Sequence, residues 1–407
     1  MTDYPAQEEA ALRPPAWYPW WSQVPVSSHV VQRVLGLAAP ETGDLSVQRD
    51  LRVPMGDGVD LLADRWAPRT GGDRLPVALV RTPYGRRGFF GVAMARPLAE
   101  RGFQVVIQST RGTFGSGGTF DPLRREREDG LATLDWVLQQ PWFGGAIVLC
   151  SASYLGYVQW AVADRLPSEV KALIPQVTES ALTLEFLRPD GFSLETPFAW
   201  GVQVATQEER GAMLRQAAQG RRTRRALSTL PLSDADVAAI GRHSDYVQDI
   251  LVHDAGSPRW AGIDHRERVA NVTAPVSSIA GWYDIFLPGQ LRDFQALQSA
   301  GRPARLTVGP WTHVALGGWR VGTQEILEFG LAHARGEEPP PRAPVRLYVM
   351  GQEAWRDFDA WPPAGYAPGA STSGRAAPWP ARRRRTRPPT ATVTTRRTRR
   401  RRPVGCG

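Results

Sequence analysis

A serine at the end of an apolar run is the residue of this sequence best suited to chemistry. Residues 147–150 are apolar, Ser153 follows shortly after them, and a new helical pattern begins at once. A sharp turn from a strand into a helix lifts such a hydroxyl above the sheet edge, where a substrate carbonyl can reach it. The surrounding Ser-Ala-Ser-Tyr-Leu-Gly departs from Gly-x-Ser-x-Gly, so the segment alone also fits an ordinary strand-to-helix turn.

A serine nucleophile needs a base that accepts its proton and a carboxylate that orients the base. In sheet-based hydrolases the order is serine, acid, histidine, each at the carboxyl end of a strand. Asp284 comes shortly after a predicted strand at 276–280, and His313 shortly after another at 305–308. Taken singly, Asp284 fits a turn and His313 fits a buried histidine bonded to backbone. Together with Ser153 they predict a catalytic triad.

Acyl transfer also needs fixed hydrogen-bond donors for the oxyanion of the tetrahedral intermediate. In a turn of this kind, the backbone N–H of Tyr154 is one donor. A second should come from the loop after an early strand, and residues 80–86 lie there. Tyr84 in this loop offers a phenol, although without the triad it would fit a surface aromatic side chain better.

Strands that alternate with helices would position these residues. Besides the two strands above, apolar runs bounded by Gly or Pro predict strands at 77–81, 103–108 and 170–175. Leucines on one face predict a helix over 124–139. This alternation predicts an α/β fold with a mostly parallel sheet covered by helices on both faces.

Residues 180–268 have a different pattern, with helical periods and no strands between them. We predict a helical cap here, inserted between two parts of the sheet domain at 46–179 and 269–340. Thr206-x-x-Glu209 has the form of a capping box, which predicts the start of a helix.

Three further segments complete the predicted organisation. Residues 1–45 form an N-terminal extension rich in aromatic residues and proline, which we expect to pack on the body. Residues 341–366 include an alternating pattern near Pro344, which predicts the first strand or strands of an all-β domain. Residues 367–407 are mostly Pro, Thr, Arg and Ala, and we expect a disordered tail.

Composition indicates a packed globular protein, because 42% of the 407 residues are hydrophobic and 15 are tryptophan. No apolar run approaches the ~20 residues that cross a bilayer, and the N-terminus does not resemble a signal peptide. Cys150 and Cys406 are the only cysteines, which argues against a disulfide framework and a thiolate metal site. We therefore expect a cytoplasmic protein that does not bind membranes.

The net charge of +9 comes from one end of the chain. Twelve arginines and no acidic residue lie between 367 and 407, so acidic residues outnumber basic ones in the rest of the chain. Arginine runs at 381–389 and 396–402 allow a second function, salt-dependent binding of nucleic acid. Without interleaved aromatic residues or a recognition fold, we expect such binding to be nonspecific.

Six motifs resemble those of the CocE/NonD hydrolases, the cocaine esterase and X-prolyl dipeptidyl-peptidase group of α/β-hydrolases. They are RTPYGR (81–86), STRGTFGSGGTF (109–120), QPWFGG (140–145), SASYLGYVQW (151–160), GWYD (281–284) and GPWTH (309–313). The resemblance covers about residues 46–366. It implies an α/β-hydrolase core, a helical cap and a C-terminal β jelly roll.

By motif position, the resemblance implies that Ser153 is the nucleophile and that Asp284 and His313 are its partners. It also makes Tyr84 and Tyr154 the oxyanion donors, through a hydroxyl and a backbone N–H respectively. Members of families like this hydrolyse acyl esters, α-amino-acid esters or peptide bonds after an N-terminal X-Pro pair. They use neither a metal nor an organic cofactor. We therefore expect a small-molecule ester or short peptide substrate and no cofactor.

The chain departs from this family at one turn residue and in the last domain. Ser151 stands two residues before the nucleophile, where the family normally has Gly, and we expect strain there. A β-sandwich needs on the order of 100 residues, many more than remain after Pro363. Relatives carry a segment like Tyr-Asp-Pro-x-Asp-Pro-Thr-Pro, and suitable GC-rich codons for that peptide, read one base late, give the run at 394–401. We predict that the tail is out of frame and the jelly roll incomplete.

Two questions stay open at this level. A chain without a complete jelly roll also fits a catalytically inactive remnant. Selection of a free amino terminus would need carboxylates in the pocket, whereas Ile285 and Phe286 directly after Asp284 indicate an apolar wall. The sequence therefore favours esters over amino-terminal substrates, and it leaves the oligomeric state undetermined.

Overall fold

The strands lie within residues 25–182, 187–188 and 191–365, which are the residues that the computed structural model describes. They are β1 (Leu45–Pro54), β2 (Asp60–Pro68), β3 (Val77–Thr82), β4 (Gln104–Ser109), β5 (Ile147–Ala152), β6 (Val170–Gln176), β7 (Leu187–Arg188), β8 (Gly191–Phe192), β9 (Val276–Tyr283), β10 (Ala304–Thr312), β11 (Val345–Val349) and β12 (Ala354–Phe358).

Helices fill most of the connections between these strands. They are α1 (Pro25–Leu35), α2 (Arg96–Ala99), α3 (Glu126–Leu138), α4 (Tyr154–Val162), α5 (Glu195–Thr206), α6 (Ala212–Ala226), α7 (Ala235–Ile240), α8 (Asp245–Val252), α9 (Arg266–Val269), α10 (Leu287–Ser299), α11 (Leu316–Glu325) and α12 (Leu331–Arg335). No helix in the described part of the chain is long and apolar enough to cross a membrane.

One mixed sheet organises the fold, with the strand order β1-β2-β4-β3-β5-β6-β9-β10-β11-β12. Strands from β4 to β11 in this order run parallel, whereas β1, β2 and β12 pair antiparallel at the two edges. The central strand β3 is buried along its whole length, as expected for a parallel strand covered on both faces. The α/β fold class predicted from the sequence is confirmed.

Two apolar clusters lie on opposite faces of this sheet, because side chains alternate along each strand. On β5, Val148 and Cys150 pack into one cluster, with Phe103 and Tyr157. Ile147 and Leu149 pack into the other, with Trp160 and Leu134 of the predicted helix. The strand that leads to Ser153 is therefore fixed from both sides.

The predicted cap region contains α5 to α8, which share an apolar cluster of their own (Phe198, Val202, Ala226, Ala235, Ala239 and Val247). The expectation that it contains no strands was wrong, because β7 and β8 form a short antiparallel ribbon. The predicted helix start at Thr206 was also wrong. The Thr206 hydroxyl donates to the Val202 carbonyl (2.9 Å) at the end of α5, so it does not cap the next helix. That helix begins at Ala212, after Gly211 in a left-handed conformation.

The last two strands extend the main sheet. β11 pairs parallel with β10, Leu306 opposite Val345, and β12 pairs antiparallel with β11. Val345 and Leu347 are buried against residues of β10, which explains why this segment continues the sheet where we had expected a separate all-β domain to begin. The predictions for residues 1–24 and for the arginine-rich tail fall outside the described residues.

Candidate active site

The serine singled out from the sequence lies in a strained turn between β5 and α4. Ser153 has φ 58° and ψ −128°, a conformation that residues other than glycine rarely adopt. Its N–H donates to the Gln176 carbonyl (2.9 Å), and its own carbonyl accepts from Gly156 (2.8 Å) and Tyr157 (2.9 Å). These hydrogen bonds hold the turn and raise the Ser153 side chain above the end of the sheet.

His313 lies within hydrogen-bond distance of both other side chains of the predicted triad. His313 Nδ1 is 2.7 Å from Asp284 Oδ2, and His313 Nε2 is 2.9 Å from Ser153 Oγ. An ionised carboxylate only accepts, so Nδ1 carries the proton and donates it to Asp284. Nε2 is then free to accept from the Ser153 hydroxyl. The Asp284 side chain is fully buried, whereas His313 is partly exposed towards a cavity.

Asp284 and His313 follow β9 and β10, which are neighbours in the sheet. The register between these strands shifts between Gly309 and Thr312, and a bulge of this kind redirects the side chains that follow it. A Cβ at Gly309 would lie 2.5 Å from the Trp311 ring, and one at Gly281 would lie 2.4 Å from the Trp311 carbonyl oxygen. The need for glycine at these two positions was not predicted from the sequence. Their only signal was their place in the GWYD and GPWTH motifs.

A cavity of about 350 Å³ opens in front of these side chains, and it is lined mainly by apolar and aromatic residues. The lining residues are Tyr84, Leu123, Ser153, Tyr154, Leu182, Glu195, Thr196, Pro197, Ala199, Trp200, Gln203, Tyr246, Ile285, Phe286 and His313. Phe286 meets the His313 ring edge to face (5.4 Å between centroids), consistent with the expected apolar wall. Glu195, at the start of α5, was not anticipated.

Both predicted oxyanion donors lie at this cavity. Tyr154 is the first residue of α4, so its backbone N–H has no acceptor within the helix. Its phenol is engaged elsewhere, donating to Glu126 Oε1 (2.7 Å) and accepting from the Leu123 N–H (2.9 Å). Burial raises the pKa of Glu126, although Arg81 nearby opposes this. The side chain of Tyr154 therefore anchors the helix start, and its N–H is the group available to a ligand.

Tyr84 presents its hydroxyl from the loop after β3. The Trp200 indole N–H donates to this oxygen at 2.8 Å. Burial raises the pKa of the Tyr84 phenol to about 12, although the Trp200 hydrogen bond opposes this. The hydroxyl therefore stays protonated at neutral pH. Trp200, on the cap helix α5, was missed because a tryptophan in a helical apolar pattern looks like any core residue.

Ser151, the residue that replaces the family's glycine, has φ +115° and is buried. This conformation is strained for any residue with a Cβ, as expected from the sequence. Among the described residues, its hydroxyl has only one weak partner, the Met94 sulfur at 3.6 Å.

The buried histidine His265 is not among the residues that line the cavity. Burial lowers the pKa of His265 to about 3, with help from Arg268, so this histidine is neutral. Its Nε2 is 2.9 Å from the Tyr157 hydroxyl within the core. Among the described residues, no three His, Cys, Asp or Glu side chains converge in a way that could hold a metal ion.

Residues 57–315 match the model of the X-Pro dipeptidyl-peptidase (S15) family. The chain belongs to this family. Within it, the chain is 32% identical over 359 residues to the cocaine esterase of Rhodococcus sp. (strain MB1 Bresler). That match covers 79% of this chain and 61% of the esterase, so the S15 chain spans about three-fifths of its relative's length.

Solved structures support the fold of this S15 chain. An α-amino acid ester hydrolase superposes with a TM-score of 0.62 at 18% identity, covering 80% of this chain and 60% of that one. A CocE/NonD family hydrolase from Staphylococcus aureus superposes with a TM-score of 0.60 at 18% identity, covering 79% and 57%. The S15 match confirms the family resemblance seen in the sequence, and these structures confirm the α/β-hydrolase fold.

Proposed function

We propose that the chain is a serine hydrolase that cleaves acyl esters through Ser153, His313 and Asp284. The observation that carries the proposal is the continuous pair of contacts, 2.9 Å from Ser153 Oγ to His313 Nε2 and 2.7 Å from His313 Nδ1 to Asp284 Oδ2. Membership of a hydrolase family supports the same activity. The tight turn around Ser153 supports it independently, because that strained conformation exposes the hydroxyl.

In the proposed reaction, Ser153 Oγ attacks the ester carbonyl while its proton moves to His313 Nε2. Asp284 stabilises the imidazolium that forms. The Tyr84 hydroxyl and the Tyr154 N–H donate to the oxyanion of the tetrahedral intermediate. When the intermediate collapses, the carbon–oxygen bond of the ester breaks and His313 protonates the leaving alcohol. Water, deprotonated by His313, then attacks the acyl-enzyme and releases the acid and Ser153.

The cavity supports esters with apolar acyl or alcohol groups as substrates. Aromatic and aliphatic side chains form most of its wall, including Trp200, Phe286 and Ile285. Burial of such substrate groups is favourable by roughly 25 cal/mol per Å².

One observation favours a second candidate, cleavage after an N-terminal X-Pro pair. Glu195 supplies a carboxylate to the cavity, and a carboxylate can pair with a free amino terminus. Glu195→Gln distinguishes the two candidates. For an ester substrate we expect kcat/KM to change less than threefold, whereas for an X-Pro anilide it should fall about tenfold or more if Glu195 binds the ammonium.

The test of the proposed function is covalent labelling with a fluorophosphonate probe. Wild-type protein should be labelled, and Ser153→Ala should not. Ser151→Gly is the matched control, because it changes a serine two residues away and should keep the label. Labelling that survives Ser153→Ala rejects Ser153 as the nucleophile. A folded wild-type protein that takes no label would instead support the inactive remnant.

A further inference from the structure

The hydroxyl of Tyr84 is held by one side chain of the cap. Trp200 Nε1 is 2.8 Å from Tyr84 Oη, and both residues line the cavity in front of Ser153. An indole N–H can only donate, so Tyr84 Oη must be the acceptor. The hydroxyl proton of Tyr84 therefore cannot point at Trp200. Among the described residues, no acceptor for this proton lies within hydrogen-bond distance. The proton is therefore free to point into the cavity.

Accepting a hydrogen bond also changes how well Tyr84 donates one. Hydrogen bonds in a chain polarise one another, so an oxygen that accepts from Trp200 gives up its own proton more readily. In agreement, the Trp200 contact acts to lower the pKa of Tyr84, against the effect of burial. The phenol nevertheless stays protonated at neutral pH, as an oxyanion donor must.

Trp200 is itself fixed by aromatic neighbours. Its ring stacks on Tyr154 (5.9 Å between centroids, 19° between planes) and meets Tyr246 edge to face (4.6 Å, 78°). Trp200 therefore contacts both residues that offer donors to the oxyanion, one through a hydrogen bond and the other through its ring. It does so from α5, an element of the predicted cap.

We infer that Trp200 is a positioning residue of the oxyanion hole, whose indole N–H directs the Tyr84 hydroxyl towards the oxyanion. This inference rests on the proposed hydrolase function. It makes the cap part of the catalytic arrangement in addition to a wall of the substrate cavity. A purely structural role for Trp200 would leave no energetic link between its N–H and the Tyr84 hydroxyl.

The test is a double-mutant cycle with Trp200→Phe and Tyr84→Phe, measured as kcat and KM for p-nitrophenyl butyrate. Tyr84→Phe removes an oxyanion donor and should lower kcat by about 10²-fold or more. Trp200→Phe keeps an aromatic ring and loses the N–H. It should lower kcat about tenfold, with KM changed less than threefold, because the lost interaction serves the transition state. In the Tyr84→Phe background, Trp200→Phe should have no further effect on kcat.

The matched control is Trp260→Phe. Trp260 is a buried tryptophan that donates to the Asp254 carbonyl (2.8 Å) and does not line the cavity. The Trp260→Phe variant also loses an indole N–H, so its melting temperature should fall while its kcat stays within twofold of wild type. Trp200→His is a second variant that keeps a donor, because imidazole Nε2 occupies the place of indole Nε1. At pH 8 it should retain more kcat than Trp200→Phe.

Several outcomes would overturn the inference. An equal loss of kcat from Trp200→Phe with and without the Tyr84 hydroxyl would show that Trp200 does not act through it. A rise in KM without a fall in kcat would show that Trp200 serves only as part of the cavity wall. If kcat of Trp200→His were no higher than that of Trp200→Phe, the N–H would not be the group that acts on Tyr84. Full activity of Tyr84→Phe would reject the inference while the hydrolase remains. Activity that survives Ser153→Ala would reject the proposed function itself.

Discussion

Ser151 and Ser153 both have positive φ, but this conformation has a proposed function only at Ser153. The strained conformation of Ser153 exposes the hydroxyl that we propose as the nucleophile. Ser151, at φ +115°, is strained in the same way, and within the described part of the chain its hydroxyl contacts only the Met94 sulfur. Glycine adopts such a conformation without a steric penalty.

We therefore expect Ser151→Gly to raise the free energy of unfolding by about 1 kcal/mol, since relief of strain outweighs the greater freedom of glycine in the unfolded chain. Urea unfolding followed by circular dichroism measures it. Ser278→Gly is the matched control. Ser278 is also buried in a central strand but is not among the residues with positive φ, so this change should lower stability. No gain from Ser151→Gly would contradict the assignment of strain.

At the same scale, chain order predicted which residues converge at the candidate site, but not which residues reach it through the direction of their side chains. Ser153, Asp284 and His313 each follow a strand, so their convergence could be predicted from topology. The contact of Trp200 with Tyr84 could not be predicted, because it depends on how α5 is placed over the sheet. Glu195 was missed for the same reason.

Among the elements, buried strands were the easiest to predict and the cap was the hardest. A continuous apolar run such as β3 is typical of a parallel strand that is buried on both faces of a sheet. The cap offered only short-range signals, and at Thr206 the same hydroxyl that can cap a following helix bonds back to Val202. Local sequence does not decide between these two hydrogen bonds. The continuation of the sheet by β11 was likewise a matter of tertiary pairing.

The contact between α4 and the segment after β6 leads to a prediction at this scale. A Cβ at Gly156 would lie 2.4 Å from Thr178 Cγ2, and Thr178 is fully buried. Gly156→Ala should therefore push α4 away from the sheet. We expect a loss of stability of about 2 kcal/mol or more and slower fluorophosphonate labelling of Ser153.

Gly220→Ala is the control for Gly156→Ala. Gly220 also lies within a helix, but none of the described atoms approaches within 4 Å of the added methyl group. This change should raise stability by roughly 0.5–1 kcal/mol through helix propensity. If Gly156→Ala gave the same gain, the close approach of α4 to Thr178 would be disproved.

For the whole molecule, a buried carboxyl group links parts of the chain that are distant in sequence. Asp293 of α10 accepts hydrogen bonds from the Ser180 N–H (2.7 Å) and from the Ser180 hydroxyl (2.5 Å). Ser180 lies where the first part of the core leads into the predicted cap, and its carbonyl accepts from the His265 N–H at the far end of that region (3.0 Å). Asp293 thus ties both ends of the cap region to the second part of the core.

Burial raises the pKa of Asp293 to about 7, although the Ser180 hydrogen bonds oppose this, whereas an unburied Asp has 3.8. Between these two values the folded protein holds a proton that the unfolded chain has lost. The free energy of unfolding should therefore fall as pH rises from about 4 to about 7, by on the order of a few kcal/mol, and then level off. The measurement is urea unfolding of wild type and Asp293→Asn across this range. Because asparagine does not titrate, the stability of wild type relative to Asp293→Asn should decrease with pH.

Asp164→Asn provides the matched control for this pH dependence. Burial acts to raise the pKa of Asp164, but a hydrogen bond from Arg127 lowers it below the ordinary value. Its contribution to stability is therefore present above its unfolded pKa and is lost only as pH falls further. The difference between wild type and Asp164→Asn should stay constant from about pH 5 to pH 7. If the stability difference between wild type and Asp293→Asn were also constant over this pH range, Asp293 would be ionised in the folded protein. Burial of Asp293 would then not make stability depend on pH.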